Sequence, residues 1–281
     1  MKKLKKTIML LLGIITAGTL TLNAQNFQGI ATYQSARKMG GLSIKGDGMS
    51  PEMEKQIQES LKKQMQKEYE LKFNLTESTW AEVESLEGAP AAAAGGVVMR
   101  ISSNSGTKYK NTADNLFLNE TEVFSKPFLV ESELKNREWQ LTNETKKIGN
   151  YTAQKAIFSE IVERTVISFD NDDKESTVTS DTINIEAWFT PEIPVSQGPD
   201  DFWGLPGLIM EITDGKITYL CTKVILNPEE GVKIKKPSKG KKVTPEELKV
   251  IRDEKTKEMM EKYSQGTNGD GKSFTIKIGG N

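Results

Sequence analysis

The stretch GPDDFWGLPGLIMEITDG, residues 198–215, decides how the rest of the chain is read. Gly198-Pro199 is a turn dipeptide. Gly204 and Gly207 flank Leu205-Pro206, so the backbone is expected to bend sharply twice before Leu208. Leu208-Ile209-Met210 then reads as a buried strand. Upstream, Ala187-Trp188-Phe189 ends another strand, and Pro191 and Pro194 cannot donate to a ladder. The segment is therefore expected to be a corner that caps a curved sheet, built by Gly198, Pro199, Gly204, Gly207, Leu208 and Ile209. Trp188, Phe189, Phe202, Trp203, Leu205 and Pro206 supply its apolar cover. Burying each ring is worth about 1.5–3 kcal/mol. The exposed part of that cover is the expected contact surface for a partner or ligand.

Outward from the corner, turn signals separate short strand-like runs. These are FQGIATYQS (27–35), YELKFNLTESTWAEVE (69–84), KYKN (108–111), LFLNETEVF (116–124) and FLVESEL (128–134). REWQLTNETKKIGNYTAQKAIFSEI (137–161) reads as two strands around Gly149. RTVISF (164–169), TINIEAWFT (182–190), GLIMEI (207–212) and ITYLCTKVIL (217–226) complete the set. The expected fold is mainly β with some α: a curved antiparallel sheet or half-barrel. One amphipathic helix is expected over 51–68, with Met53, Ile57, Leu61 and Met65 at helical spacing. A second is expected over 244–263, opened by a Thr244 cap, Pro245 and an acidic first turn. EGAPAAAAGG (87–96) reads as a flexible loop.

The N-terminus MKKLKKTIMLLLGIITAGTLTLNAQ has the three-part layout of a secretory signal peptide, with cleavage expected after Ala24. Residues 25–228 are then the β domain, and 229–281 a lysine-rich linker, a surface helix and a flexible tail with an edge strand near 273–278. The uncharged leader run is too short and too interrupted to span a bilayer, so no transmembrane span is expected in the mature chain. Its removal takes four lysines and moves the formal charge from −1 to −5. A mildly acidic exported protein argues against a nucleic-acid partner. Export to the periplasm or beyond is the expected localisation.

The chain has no histidine and one cysteine, Cys221. That excludes Ser-His-Asp and Cys-His catalysis and metal sites that need imidazole. Three other patterns are weak. GTNGDGKS (266–273) matches a phosphate-loop spacing, but a helix precedes it and a strand-like run follows. Asp170-Asn171-Asp172-Asp173 starts like a calcium loop, but Lys174 and Glu175 break it. Asp181-Thr182-Ile183 fits a short O-glycosylation acceptor pattern. No catalytic residues, metal or cofactor are assigned.

A longer set of residues carries a family resemblance. It comprises Trp139, Glu144-Thr145-Lys146, Ile148, Asn150-Tyr151, Lys155-Ala156, Ala187-Trp188-Phe189-Thr190, Ile193-Pro194, Gly198-Pro199 and Phe202-Trp203-Gly204-Leu205-Pro206-Gly207-Leu208-Ile209. From Trp139 to Ile225 the chain resembles the GLPGLI family of secreted Bacteroidota-type proteins. Ala153 stands where family members often carry a cysteine, so a thiol role there is absent. The resemblance implies location and architecture, not an activity. The strand order also resembles the half-barrels of periplasmic lipoprotein carriers, an analogy of fold alone. The leading expectation is a non-catalytic envelope protein that binds a partner protein or an apolar small molecule or lipid. A hydrolase using carboxylates alone and a structural or assembly component of the envelope are the alternatives.

Overall fold

The computed structural model describes residues 27–38, 66–83, 92–94, 97–99, 106–170 and 173–266, together with Glu52 and Glu59. Its strands are β1 (Gln28–Arg37), β2 (Glu68–Asn74), β3 (Glu77–Glu82), β4 (Ala92–Ala94), β5 (Val97–Met99), β6 (Lys108–Asn111) and β7 (Leu116–Val123). They continue as β8 (Lys126–Glu133), β9 (Gln140–Ile148), β10 (Tyr151–Asp170), β11 (Asp173–Thr190), β12 (Leu208–Thr213), β13 (Ile217–Leu226) and β14 (Lys241–Val243). One helix, α1 (Pro245–Gly266), follows. Twelve strands form one open mixed sheet in the order β14-β8-β7-β6-β3-β2-β1-β13-β12-β11-β10-β9, and β4 and β5 pair separately.

The order records two meanders. The chain zigzags away from β1 as far as β8, jumps to the opposite edge at β9, and zigzags back until β13 pairs with β1. Neighbours are antiparallel except β14, which lies parallel to β8. A single residue shows how far this sheet curls. The Gln197 carbonyl accepts from the Ile209 amide of β12 at 3.1 Å, while its side chain accepts from Ser78 of β3 at 2.7 Å. Along a flat sheet those strands would lie four steps, about 19 Å, apart. Register shifts at Thr32/Tyr33, Gln154/Ala156 and Trp188/Phe189 add local twist.

The concave side holds the core. Alternation puts Ala31 and Tyr33 of β1, Tyr69, Leu71 and Phe73 of β2, and Ala187 and Phe189 of β11 inward. Trp80 stacks on Tyr69 with centroids 4.8 Å apart and meets Tyr33 and Tyr219 edge-on, each at 5.3 Å. At the far edge, Val243 and Leu248 pack on Val123, Phe128 and Val130. Thr244 and Glu247 form a reciprocal cap at the helix start.

Several expectations change. The described elements contain one helix where two were expected; the expected helix over 51–68 lies outside the described residues except for Glu52 and Glu59, both helical, Gln66 and Lys67, neither helical, and Glu68, which already belongs to β2. The 69–84 run is two strands, because Leu75 falls in the turn after Asn74 and is exposed. The alanine-rich 87–96 segment contributes Ala92–Ala94 to a small hairpin. Lys241–Val243, read as linker, forms the parallel edge strand. The 164–169 and 182–190 runs are not separate strands but parts of a long ribbon, β10 paired with β11 from Gln154↔Phe189 to Asp170↔Asp173. Beyond Ile157 and Glu186 neither strand pairs with a third strand among the described residues, so about 40 Å of two-stranded ribbon extends past the rest of the sheet. The calcium-like run lies at its tip, with residues 171–172 outside the described set. The signal segment, residues 267–273 of the phosphate-loop pattern, and the tail strand also lie outside it.

Candidate functional site

Residues 191–207 connect β11 to β12 and lie across the concave face. A loop buried in this way must satisfy its backbone groups without a ladder. The main device is Lys110 of β6, whose side chain is fully buried. Its ammonium donates to the carbonyls of Gly198 at 2.7 Å, Asp200 at 3.0 Å and Phe202 at 2.7 Å. Each of its three protons therefore has one acceptor. Burial pushes Lys110 down to about 7, while Asp201 and Asp200 pull it back up.

Arg137 closes the other side. It donates to the Asp201 carbonyl at 2.9 Å and carboxylate at 2.6 Å, and its guanidinium lies 4.5 Å over the Phe202 ring. Burial pushes the Asp201 carboxyl up, but Arg137 beside it wins and holds it below the usual carboxylate range. Lys108 pairs with the Asp200 carboxylate. The Trp139 indole donates to the Trp203 carbonyl at 2.9 Å, and the Trp203 indole to the Lys135 carbonyl at 2.9 Å. Tyr33 donates to the Ile209 carbonyl at 2.7 Å.

The glycines have separate reasons. Gly204 sits at φ +98°, which L side chains rarely adopt. A Cβ on Gly207 would stand 2.2 Å from the Thr190 carbonyl oxygen. Gly198 and Pro199 are buried, as are Leu208 and Ile209. Of the residues expected to make contacts, Phe189 and Leu205 are buried, Phe202 and Trp203 half-buried, and Pro206 exposed. Trp188 points to the convex side. Lys146 lies 4.3 Å and Lys155 5.8 Å from its ring, and they pair with Glu211 and Glu186, each at 2.7 Å.

A cleft of about 230 Å³ lies beyond this corner, between the β9–β10 turn and strands β12 and β13. Ile148, Tyr151, Met210, Cys221 and Val224 line it together with Asn150, Thr222 and Lys223, so its wall is mixed rather than apolar. Burial pushes the Cys221 thiol up to about 12, against weaker pulls from the Lys223 backbone and Tyr33. The thiol is therefore a small apolar wall rather than a nucleophile. Asp200 and Asp201 each face a cation rather than one another, so the corner holds no carboxylate pair aimed at a common point. Among the described residues no group of acids and cysteine is placed to hold a metal ion, and no helix is long and apolar enough to cross a membrane.

Sequence reasoning missed Lys110, Arg137 and Lys108. Arg137 and Trp139 sit just before β9 and carried a faint signal: an arginine and an indole on either side of Glu138 suit loop tethers. Lys110 carried none.

Comparison with known proteins supports the same stretch. Residues 139–211 match the model of a family described as a protein of unknown function (Porph_ging). No curated protein matches the chain. Among solved structures, PNGF-II in its C2 crystal form is similar with a TM-score of 0.46 and 14% identity, over 80% of this chain and 32% of that one. Its P21 form gives a TM-score of 0.45 and 14% identity over the same shares. This chain thus spans about a third of the length of those chains.

Proposed function

We propose that the protein is a non-catalytic binding module of the cell envelope, exported through its N-terminal segment. Its cleft, lined by Asn150, Thr222 and Lys223 as well as by apolar groups, takes one side chain of a protein partner. The observation that carries this reading is the cleft of about 230 Å³ lined by Ile148, Tyr151, Met210, Cys221 and Val224. That volume is below the roughly 300–1,000 Å³ of small-molecule sites, which favours an anchoring side chain over a free ligand. The corner serves the cleft indirectly. Held by Lys110 and Arg137, it fixes Leu208 and Ile209, and so aims Met210 at the cleft. Preorganised walls lower the cost of binding.

Native mass spectrometry of the protein purified from its own envelope tests this. The unmodified protein carries a stoichiometric protein companion. Val224→Trp, which fills the cleft, loses it; Leu220→Trp, an exposed control on the same strand, keeps it. A companion retained by Val224→Trp, or no companion at all, contradicts the proposal.

A further inference from the structure

The segment after β13 crosses the outer face of the first meander as a strap. The Val232 amide donates to the Gln28 side chain at 2.9 Å, Ile234 packs on Tyr109, Leu118 and Leu129, and the Lys239 amide donates to Glu120 at 3.0 Å. The strap then enters β14 beside β8. Residues 233–242 read KIKKPSKGKK: six lysines and no acid, in a chain whose total formal charge is −1, leaving −7 for the remainder. Ile234 and Pro237 turn inward while Lys233, Lys235, Lys236, Lys239, Lys241 and Lys242 are all exposed. Lys242 pairs with Glu131. The other five make no ion pair to a carboxylate among the described residues, although Glu120, Glu122, Glu131 and Glu133 lie on the strands beneath.

A second, independent feature stands at the same edge. Phe124 and Ser125 form the two-residue turn between β7 and β8, at φ +49° and +63°. Asn and Gly are the residues such a turn favours, and a bulky side chain there is strained. Phe124 is nonetheless 49% exposed, so the core does not require it. The turn lies about 10 Å along the hairpin from Phe128, where Lys241 pairs. Lys126 completes the flank and is exposed. Strain kept at an exposed position points to function rather than folding.

We propose that this edge docks on an anionic lipid surface, with Phe124 entering the headgroup layer and the strap lysines meeting lipid phosphates. An aromatic tip beside free lysines fits that surface, because the ring gains from an apolar layer that a soluble polyanion lacks. This surface is separate from the cleft and does not depend on the reading given for it.

Vesicle flotation of the full protein tests the proposal, using phosphatidylcholine vesicles with and without phosphatidylglycerol. Binding requires the anionic lipid and falls as salt is raised from about 0.1 to about 1 M. Each lysine is worth about fivefold, so Lys233→Gln, Lys235→Gln, Lys236→Gln and Lys239→Gln together lower affinity several hundredfold. Phe124→Asn lowers it about tenfold while leaving Tm unchanged or higher, because Asn accepts the left-handed backbone. Four results overturn the proposal: no vesicle binding, equal binding to neutral vesicles, binding insensitive to the lysines, or Phe124→Asn binding as the unmodified protein does. An anionic polysaccharide that binds through the same lysines without Phe124, when vesicles do not bind, replaces the lipid with a soluble polyanion.

Discussion

The loop 191–207 and the outer β10–β11 ribbon are opposites in form and in support. The loop has almost no regular structure, yet Lys110, Arg137, Trp139, Ser78 and Tyr33 fix it or the strand it leads into. The ribbon is regular along its whole length, but beyond Ile157 and Glu186 neither strand pairs with a third strand among the described residues, and its base, through Phe158 and Glu160, touches Trp139 and Lys135. Isolated two-stranded hairpins are marginal in water. Regular backbone geometry and local stability are therefore separate properties here. The irregular element is expected to be the rigid one, because Lys110, Arg137, Trp139 and Ser78 reach it from distant parts of the chain, although Gln197 Nε2 stays buried without a partner among the described residues.

The contrast can be broken by substitution. Lys110→Met leaves one buried and two half-buried carbonyls without a donor and Asp200 and Asp201 short of one cation. It should cost about 3–5 kcal/mol in urea unfolding. Gly207→Ala forces a methyl group onto the Thr190 carbonyl and should cost about 2–3 kcal/mol. Gly149→Ala in the β9–β10 turn meets nothing within 4 Å, so only its φ of +56° opposes it and the cost should be about 1 kcal/mol. Replacing 163–180 of the ribbon with Asn-Gly closes the Val162–Asp181 pair with a short turn. It should change stability by no more than about 0.5 kcal/mol. A ribbon deletion as damaging as Lys110→Met would reverse the ranking.

Titration sharpens the same point at the loop. Asp201 has a lowered folded-state pKa, so its contribution is present above the unfolded value of 3.8 and lost as pH falls through the folded one. Lys110 is lowered too, from 10.5 to about 7, so the folded chain releases its proton first. Its contribution to stability therefore rises with pH between about 7 and 10.5. Urea midpoints across pH check both signs. Asp201→Asn should flatten the acid limb, and the ribbon deletion should leave the profile unchanged.

The corner was legible because its glycines have no substitutes: one needs a positive φ and one has no room for a Cβ. The meander was legible from alternation, as in Tyr69, Leu71 and Phe73. Lys110 was not. In Lys108–Asn111 a lysine beside a tyrosine reads as the outward position of a half-buried strand. In fact both faces of β6 are covered, by the loop on one side and the strap on the other, so Tyr109, Lys110 and Asn111 are all buried and alternation disappears. The ribbon was misread for the opposite reason. Polar residues such as Glu163 and Arg164 looked like strand ends, but the backbone ladder continues through them.

Amide hydrogen exchange of the unmodified protein compares the two regions directly. The amides of Leu208 and Ile209, bonded to Ile193 and Gln197, should exchange only with global unfolding. Ribbon amides from Ser159 outward should exchange through local opening, orders of magnitude faster. The β12 amides, which hold the loop carbonyls, exchanging as fast as the ribbon, or a ribbon as protected as they are, would contradict the claim that Lys110 and Arg137 make this irregular corner the rigid part of the molecule.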